Sequence, residues 1–195
     1  MQHEDADLAA SARDGDLSAF NLIVDRYQSQ VYNLSARILG DRTAAEDIAQ
    51  ETLVSAYRAI GRFRGGSLRA WLFRIASNLS YDYLRSARRR PERSLDEQME
   101  NPEFAIPSGE ASPEQMAVRS ELRGAIQQAI VALPMDQRAT IVMVDVQGLS
   151  YEETAEATGV SIGTVKSRMS RARSSVRESL QKDRELLPDQ FRRVV

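Results

Sequence analysis

The chain has 195 residues, of which 42% are apolar and 28% charged, with a formal net charge of −2, no cysteine and one histidine, His3. That is room for one medium domain or two small ones, and the composition excludes a disulfide framework, a thiolate zinc site and a His-based nucleophile or metal centre. Carboxylate-only chemistry is not excluded by counting.

The acidic start, Met1 to Asp7, has no apolar stretch behind a basic end, so no secretion signal is expected. No apolar run reaches the length of a membrane span. A cytoplasmic chain without membrane insertion is the expectation.

The first strong periodicity covers residues 17–39. Phe20, Ile23, Val24, Tyr27, Val31, Leu34 and Ile38 recur at spacings of three and four, the signature of an amphipathic helix. Gly40 is a natural stop. Thr43 and Glu46 have capping-box spacing, and a second helix is expected to about Ile60, with Ile48, Ala49, Leu53 and Ala56 inward. Its opposite face gathers Asp47, Gln50, Glu51 and Val54. An acidic patch of this kind is wrong for DNA and suits a protein partner or plain solvent.

Gly65 and Gly66 then break the pattern, and Ser67 can cap a third helix. Leu68, Leu72, Ile75, Ala76, Leu79 and Tyr83 form its apolar side. It is expected to end near the arginine run before Pro91. Almost opposite that stripe stand Arg74, Asn78, Tyr81 and Arg85, with Trp71 at the border. Aromatic faces stack unpaired bases, Asn reads base edges and Arg neutralises phosphate, so the stripe could carry an unstacked strand. The bland alternative is a solvated face beside a core tryptophan.

Residues 91–112 carry Pro91, Pro102, Pro107, Gly109 and many acids, and read as an acidic, flexible linker. Ser112, Pro113 and Gln115 then supply helix-start signals. Val118, Leu122, Ile126, Ile130 and Leu133 form the stripe of the next helix. The β-branched run 140–146 is read as helix because no partner strand is visible nearby.

The strongest local signal follows. Ser150 and Glu153 again have capping-box spacing, Ala155 points inward, Gly159 sits at a turn, Val160 is a buried turn residue, and Ser161 can cap a last helix. Val165, Met169, Ala172 and Val176 give that helix one inward stripe. Thr164, Lys166, Ser167, Ser170 and Arg171 lie on or near the opposite face, with Arg168 and Arg173 on its flanks. Small hydroxyls permit close approach to a major groove, Arg can fork onto guanine, and basic flanks hold phosphates. A solvated basic helix is the alternative.

Charge is segregated along the chain. Residues 1–57 hold 4 basic and 10 acidic side chains, 58–90 hold 9 and 1, 91–114 hold 1 and 7, and 161–182 hold 6 and 1. Two basic blocks around an acidic one suggest two polyanion-facing surfaces.

Three of these segments resemble one family. Asp41 to Leu53 looks like the core of sigma region two. Phe63 to Asn78 looks like the element that melts and reads the promoter minus-ten region. Leu149 to Ala155 and Gly163 to Arg173 look like sigma region four. In this order the motifs resemble a bacterial RNA polymerase sigma factor of the small extracytoplasmic-function (ECF) type, over about residues 17–180.

The resemblance implies an all-α fold of two helical domains joined by a flexible acidic linker. Region two would occupy 1–92, the linker 93–112, region four 113–182, and an unassigned tail 183–195. It implies that Asp47, Gln50, Glu51 and Val54 meet the polymerase clamp helices, with further contact to the flap. Arg64, Ser67, Trp71, Arg74, Asn78, Tyr81 and Arg85 would handle the minus-ten strand. Thr164, Lys166, Ser167, Arg168, Ser170, Arg171 and Arg173 would read the minus-thirty-five element. The partners would be core RNA polymerase, promoter DNA and an anti-sigma factor, with no cofactor, no metal and no catalysis. Thr154 and Thr158 depart from the family pattern, where apolar residues are usual, and imply a looser helix pair. A stand-alone helix-turn-helix regulator is the alternative function, and the third-helix stripe and acidic linker argue against it.

Overall fold

In a computed structural model the described residues are 2–89 and 113–182. The expected linker and tail fall outside them. Among the described residues there is no strand, and the chain is all-α. The elements are α1 (Gln2–Arg13), α2 (Leu17–Leu39), α3 (Arg42–Ala59), a 3₁₀ turn (Ile60–Arg62), α4 (Leu68–Arg89), α5 (Pro113–Ala132), α6 (Met135–Ile141), a π-helical turn (Val142–Val146), α7 (Tyr151–Thr158) and α8 (Ile162–Lys182).

Helix α2 is the spine. It packs on α1, α3 and α4, and its Ile23, Val31, Leu34 and Ile38 are fully buried. The Asp16 carboxylate caps its start, accepting from the N–H of Ser18 and Ala19, and Gly40 ends it at φ 74°, a conformation that costs a residue with a Cβ roughly 1–2 kcal/mol. The cap of α3 is Asp41, which accepts from the Ala44 N–H at 3.0 Å, and not the expected Thr43. A carboxylate one residue into the turn competes better for the orphan amides than the threonine two residues later.

Helix α1 was not expected from the sequence. Its buried side is Ala9 and Ala12 with Asp5, a stripe too weakly apolar to stand out. Asp5 is held by two partners, the Arg26 guanidinium at 2.5 Å and the Tyr27 hydroxyl, which donates at 2.6 Å. Burial, then the bond to Asp5, raises the Tyr27 phenol well above its ordinary value.

In the C-terminal unit α8 packs on α5, α6 and α7. The run 140–146 is helical as expected, but it widens into the π turn, where the Gln147 N–H returns to the Val142 carbonyl at 2.9 Å. Thr154 is fully buried and Thr158 half-buried, and their hydroxyls donate to the carbonyls of Ser150 and Thr154 at 2.8 and 2.6 Å. Each hydroxyl is satisfied inside its own helix, so neither threonine leaves an unpaired polar group in the helix pair. Two expected core positions are exposed instead, Tyr83 at 37% and Val118 at 40%. Ala155 and Val160 are half-buried, while Thr154 and Ala157 are the buried residues of α7.

The two helical units lie against each other. Helix α4 packs on α7, and α2 packs on α5 and α6. Arg138 braces the seam: its guanidinium donates to the Ile38 carbonyl at the end of α2 and to the Leu133 and Val131 carbonyls at the end of α5.

Candidate nucleic-acid interface

The local folding of α7 and α8 is set by three devices. Ser150 and Glu153 form a reciprocal capping box, with both bonds at 3.0 Å. Gly159 turns the chain at φ 68°. Ser161 caps α8, accepting from the Thr164 N–H at 3.1 Å. Val165, Met169 and Ala172 then seat α8 on its neighbours, so its register, and hence its outward face, is fixed.

On that outward face Lys166, Ser167, Ser170 and Arg171 are exposed. The Arg171 guanidinium leans back along its own helix, its Nε donating to the Ser167 carbonyl at 3.3 Å. Thr164 is half-buried and shares a hydrogen bond with Ser161 at 2.9 Å. The two flanking arginines are engaged. Arg168, with its side chain only 20% exposed, meets Asp136 at 3.0 Å. Arg173 forks onto Asp145 through Nε at 2.9 Å and Nη2 at 2.6 Å, and that bond holds its pKa above the ordinary value. Asp136 and Asp145 were missed in the sequence because each lies about thirty residues from its arginine, where no helical spacing joins them. A shallow groove beside this face is lined by Tyr151, Lys166, Ser170, Arg173, Ser174 and Arg177.

The second basic surface is divided. Arg64, Arg74, Asn78 and Arg85 are exposed. Trp71 is half-buried, its ring 5.3 Å from that of Phe63 and tilted 52° to it. Ser67 caps α4 through the Ala70 N–H at 3.2 Å, while its hydroxyl donates to Glu153 of α7 at 3.0 Å. The Tyr81 hydroxyl donates to the Met135 carbonyl at 3.0 Å, and burial raises this phenol to about 12. Ser67 and Tyr81 are therefore half-buried against the C-terminal unit. The stripe as expected, open along its length, is open only at Arg74, Asn78 and Arg85. Arg69, which the sequence reading passed over, lies at this seam: Nη2 donates to the Gln147 carbonyl at 2.5 Å and the guanidinium stands 5.2 Å over the Phe73 ring.

The acidic face of α3 is free of such cover. Asp47, Gln50, Glu51 and Val54 are all exposed on one side, and Tyr57 continues the stripe one turn on at 51% exposure. Among the described residues no group of three acidic or histidine side chains is placed to hold a metal ion, and no helix is long and apolar enough to cross a membrane.

Two families match this chain in order, Sigma-70 region 2 at residues 23–90 and Sigma-70 region 4 at residues 123–176. The RNA polymerase sigma-H factor of Pseudomonas aeruginosa is 39% identical over 186 residues, covering 92% of this chain and 95% of the relative. The ECF RNA polymerase sigma-E factor of Escherichia coli K12 is 39% identical over 188 residues, covering 92% and 96%. The chain belongs to the sigma-70 family, ECF type. Its fold is similar to that of the sigma factor RpoE in complex with the anti-sigma factor NepR from Bartonella quintana, at 28% identity and a TM-score of 0.66 over 85% of this chain and 98% of that one. Sigma-70 region 2 takes in most of α2, α3, the glycine turn and α4, and region 4 takes in the second half of α5, α6, α7 and α8 as far as Val176, with the whole exposed ridge. Both basic surfaces thus lie inside the matched regions. As a sigma factor the chain is not an enzyme.

Proposed function

We propose that this sigma factor docks on core RNA polymerase through the α3 face and carries two promoter-reading surfaces to their elements. Asp47, Gln50, Glu51 and Val54, with Tyr57 beside them, meet the polymerase. The glycine turn and α4, through Arg64, Arg74, Asn78 and Arg85, take the minus-ten strand, and α8 enters the major groove at the minus-thirty-five element. The observation that carries the reading is the free α8 ridge of Lys166, Ser167, Ser170 and Arg171, standing on a helix fixed by cap, glycine turn and buried stripe. Within it Arg171 and Lys166 are the cations free to reach DNA, while Arg168 and Arg173 orient the helix through Asp136 and Asp145.

The work is done by binding energy. Extruding a base costs a few kcal/mol, which capture in a pocket offsets. A bidentate Arg–guanine pair discriminates against the wrong base by about 1–3 kcal/mol. The chain works in the cytoplasm, where polymerase and promoters are, and an anti-sigma factor holds it back, a reading supported by the complex of the Bartonella sigma factor with NepR.

Run-off transcription with purified core enzyme on a genomic promoter library tests this. The chain should co-elute with core polymerase and direct it to a discrete set of starts. Asn78→Ala should impair duplex templates more than pre-melted ones. Failure to associate with core enzyme refutes the docking face, and equal loss on both templates refutes strand capture by Asn78.

A further inference from the structure

Helix α1 lies before the Sigma-70 region 2 match, which begins at residue 23. It is weakly apolar: its buried residues are Asp5, Ala9 and Ala12, with Leu8 partly buried beside them. A buried carboxylate is costly unless it is paired, and Asp5 is paired twice. It joins consecutive residues of α2, accepting from the Arg26 guanidinium at 2.5 Å and from the Tyr27 hydroxyl at 2.6 Å. Glu4 adds a longer contact to Arg26, at 3.7 Å. Two bonds to one carboxylate fix both the height of α1 along α2 and its rotation, a register that packed alanines specify poorly.

Helix α1 also reaches both ends of the glycine turn. It packs on Ile60–Arg62, the 3₁₀ turn that leads in, and on α4, which leads out. Ala9, Ala12, Tyr27, Ile60, Phe63 and Leu68 belong to one buried cluster. The Tyr27 hydroxyl and the guanidinium of Arg69, in the first turn of α4, are near enough to act on each other electrostatically. Between these anchors Gly65 and Gly66 stand at φ +95° and +91°, and a Cβ on Gly65 would meet nothing within 4 Å. Within the N-terminal unit the turn therefore takes its place from its two ends, and α1 backs both of them.

We infer that Asp5 is a positioning residue for promoter reading: by locking α1 onto Arg26 and Tyr27 it holds the two ends of the Arg64–Ser67 turn where the minus-ten bases require them. Asp5 is buried and acts through the turn, not by touching DNA. A reading surface that shifts slightly loses the difference between right and wrong bases before it loses binding, because base discrimination needs the closer fit. The inference rests on the strand-binding reading of that turn.

The test uses holoenzyme formed with the full chain and duplex templates from the run-off set, with each minus-ten base pair exchanged in turn. The readout is the ratio of initiation on the preferred template to that on each exchanged one. A single exchange should cost the wild-type protein about 5–150-fold. At the most discriminating position Asp5→Asn should reduce that ratio about three- to tenfold, with core association and minus-thirty-five preference unchanged. Tyr27→Phe removes one hydroxyl and keeps the ring, so it decides the matter where Asp5→Asn folds poorly, and it should move the ratio the same way. Gly40→Ala controls for stability alone. It strains α2 at φ 74°, at the end opposite the α1 hairpin, and should leave the ratio as in wild type.

An intact ratio in the folded variants overturns the positioning role. So does an equal loss in Gly40→Ala, or a loss that extends to minus-thirty-five preference. Asn78→Ala separates this inference from the reading beneath it. If Asn78→Ala abolishes minus-ten discrimination while the Asp5 and Tyr27 variants spare it, only the role of Asp5 falls. If Asn78→Ala spares it as well, the strand-binding reading of the turn falls, and the inference with it.

Discussion

If Arg173 serves α8 by gripping Asp145, its removal should change binding in a way that removal of a phosphate contact cannot. The pair is bidentate, at 2.9 and 2.6 Å, with side chains 53% and 36% exposed. At that exposure the pair is worth about 0.5–1 kcal/mol of stability, which in a chain of this size lowers Tm by about 1–4 °C. Arg173→Ala should show that loss and a weaker grip on promoter duplex by holoenzyme, yet the slope of log K against log salt should stay as in wild type, because no counterion-releasing contact has gone. Lys166→Ala should reduce the same slope by about 0.9. The assay is fluorescence anisotropy of a labelled promoter duplex titrated with holoenzyme from low to moderate salt. A slope that falls for Arg173→Ala by as much as for Lys166→Ala would place Arg173 on a phosphate and refute the positioning role.

Arg171→Ala should cost about 1–3 kcal/mol of discrimination at one minus-thirty-five base and leave the association with core polymerase unchanged, read by competition between promoter variants and by co-elution. Gly159→Ala should destabilise the chain by roughly 1–2 kcal/mol in urea unfolding, because φ there is 68°. Alkaline unfolding should follow the buried phenols. Tyr81, ordinarily at 10.0, is raised to about 12 in the folded chain by burial. The neutral form is thus favoured by folding, the stabilisation is complete below pH 10, and it is lost as pH rises through about 12. Tyr81→Phe should flatten that part of the profile in pH-dependent unfolding.

Much of this was legible in the chain. Long stripes such as Phe20 to Ile38 and the cap–glycine–cap run Ser150, Gly159, Ser161 name their helices because hydrophobic period and turn chemistry agree. The motifs in Asp41–Leu53, Phe63–Asn78 and Gly163–Arg173 carried the family. Helix α1 was not legible, because its buried side is alanine around an aspartate whose partners, Arg26 and Tyr27, lie more than twenty residues away. The engagement of Arg168 and Arg173 was hidden for the same reason. The covering of Ser67 and Tyr81 depends on how two helical units meet, which no local pattern encodes.

The π turn at Val142–Val146 has a bearing on what this sequence tolerates. Such a turn is an α-helix carrying one residue more than its pitch needs. Deleting that surplus residue would restore the ordinary winding and leave the chain on either side close to its present course, whereas losing one from the regular turns of α6 would swing everything beyond it by about 100°. Asp145 would then lose Arg173, and the approach to α7 would be misaimed. Residue count is therefore guarded more strictly in α6 than in the turn that follows it.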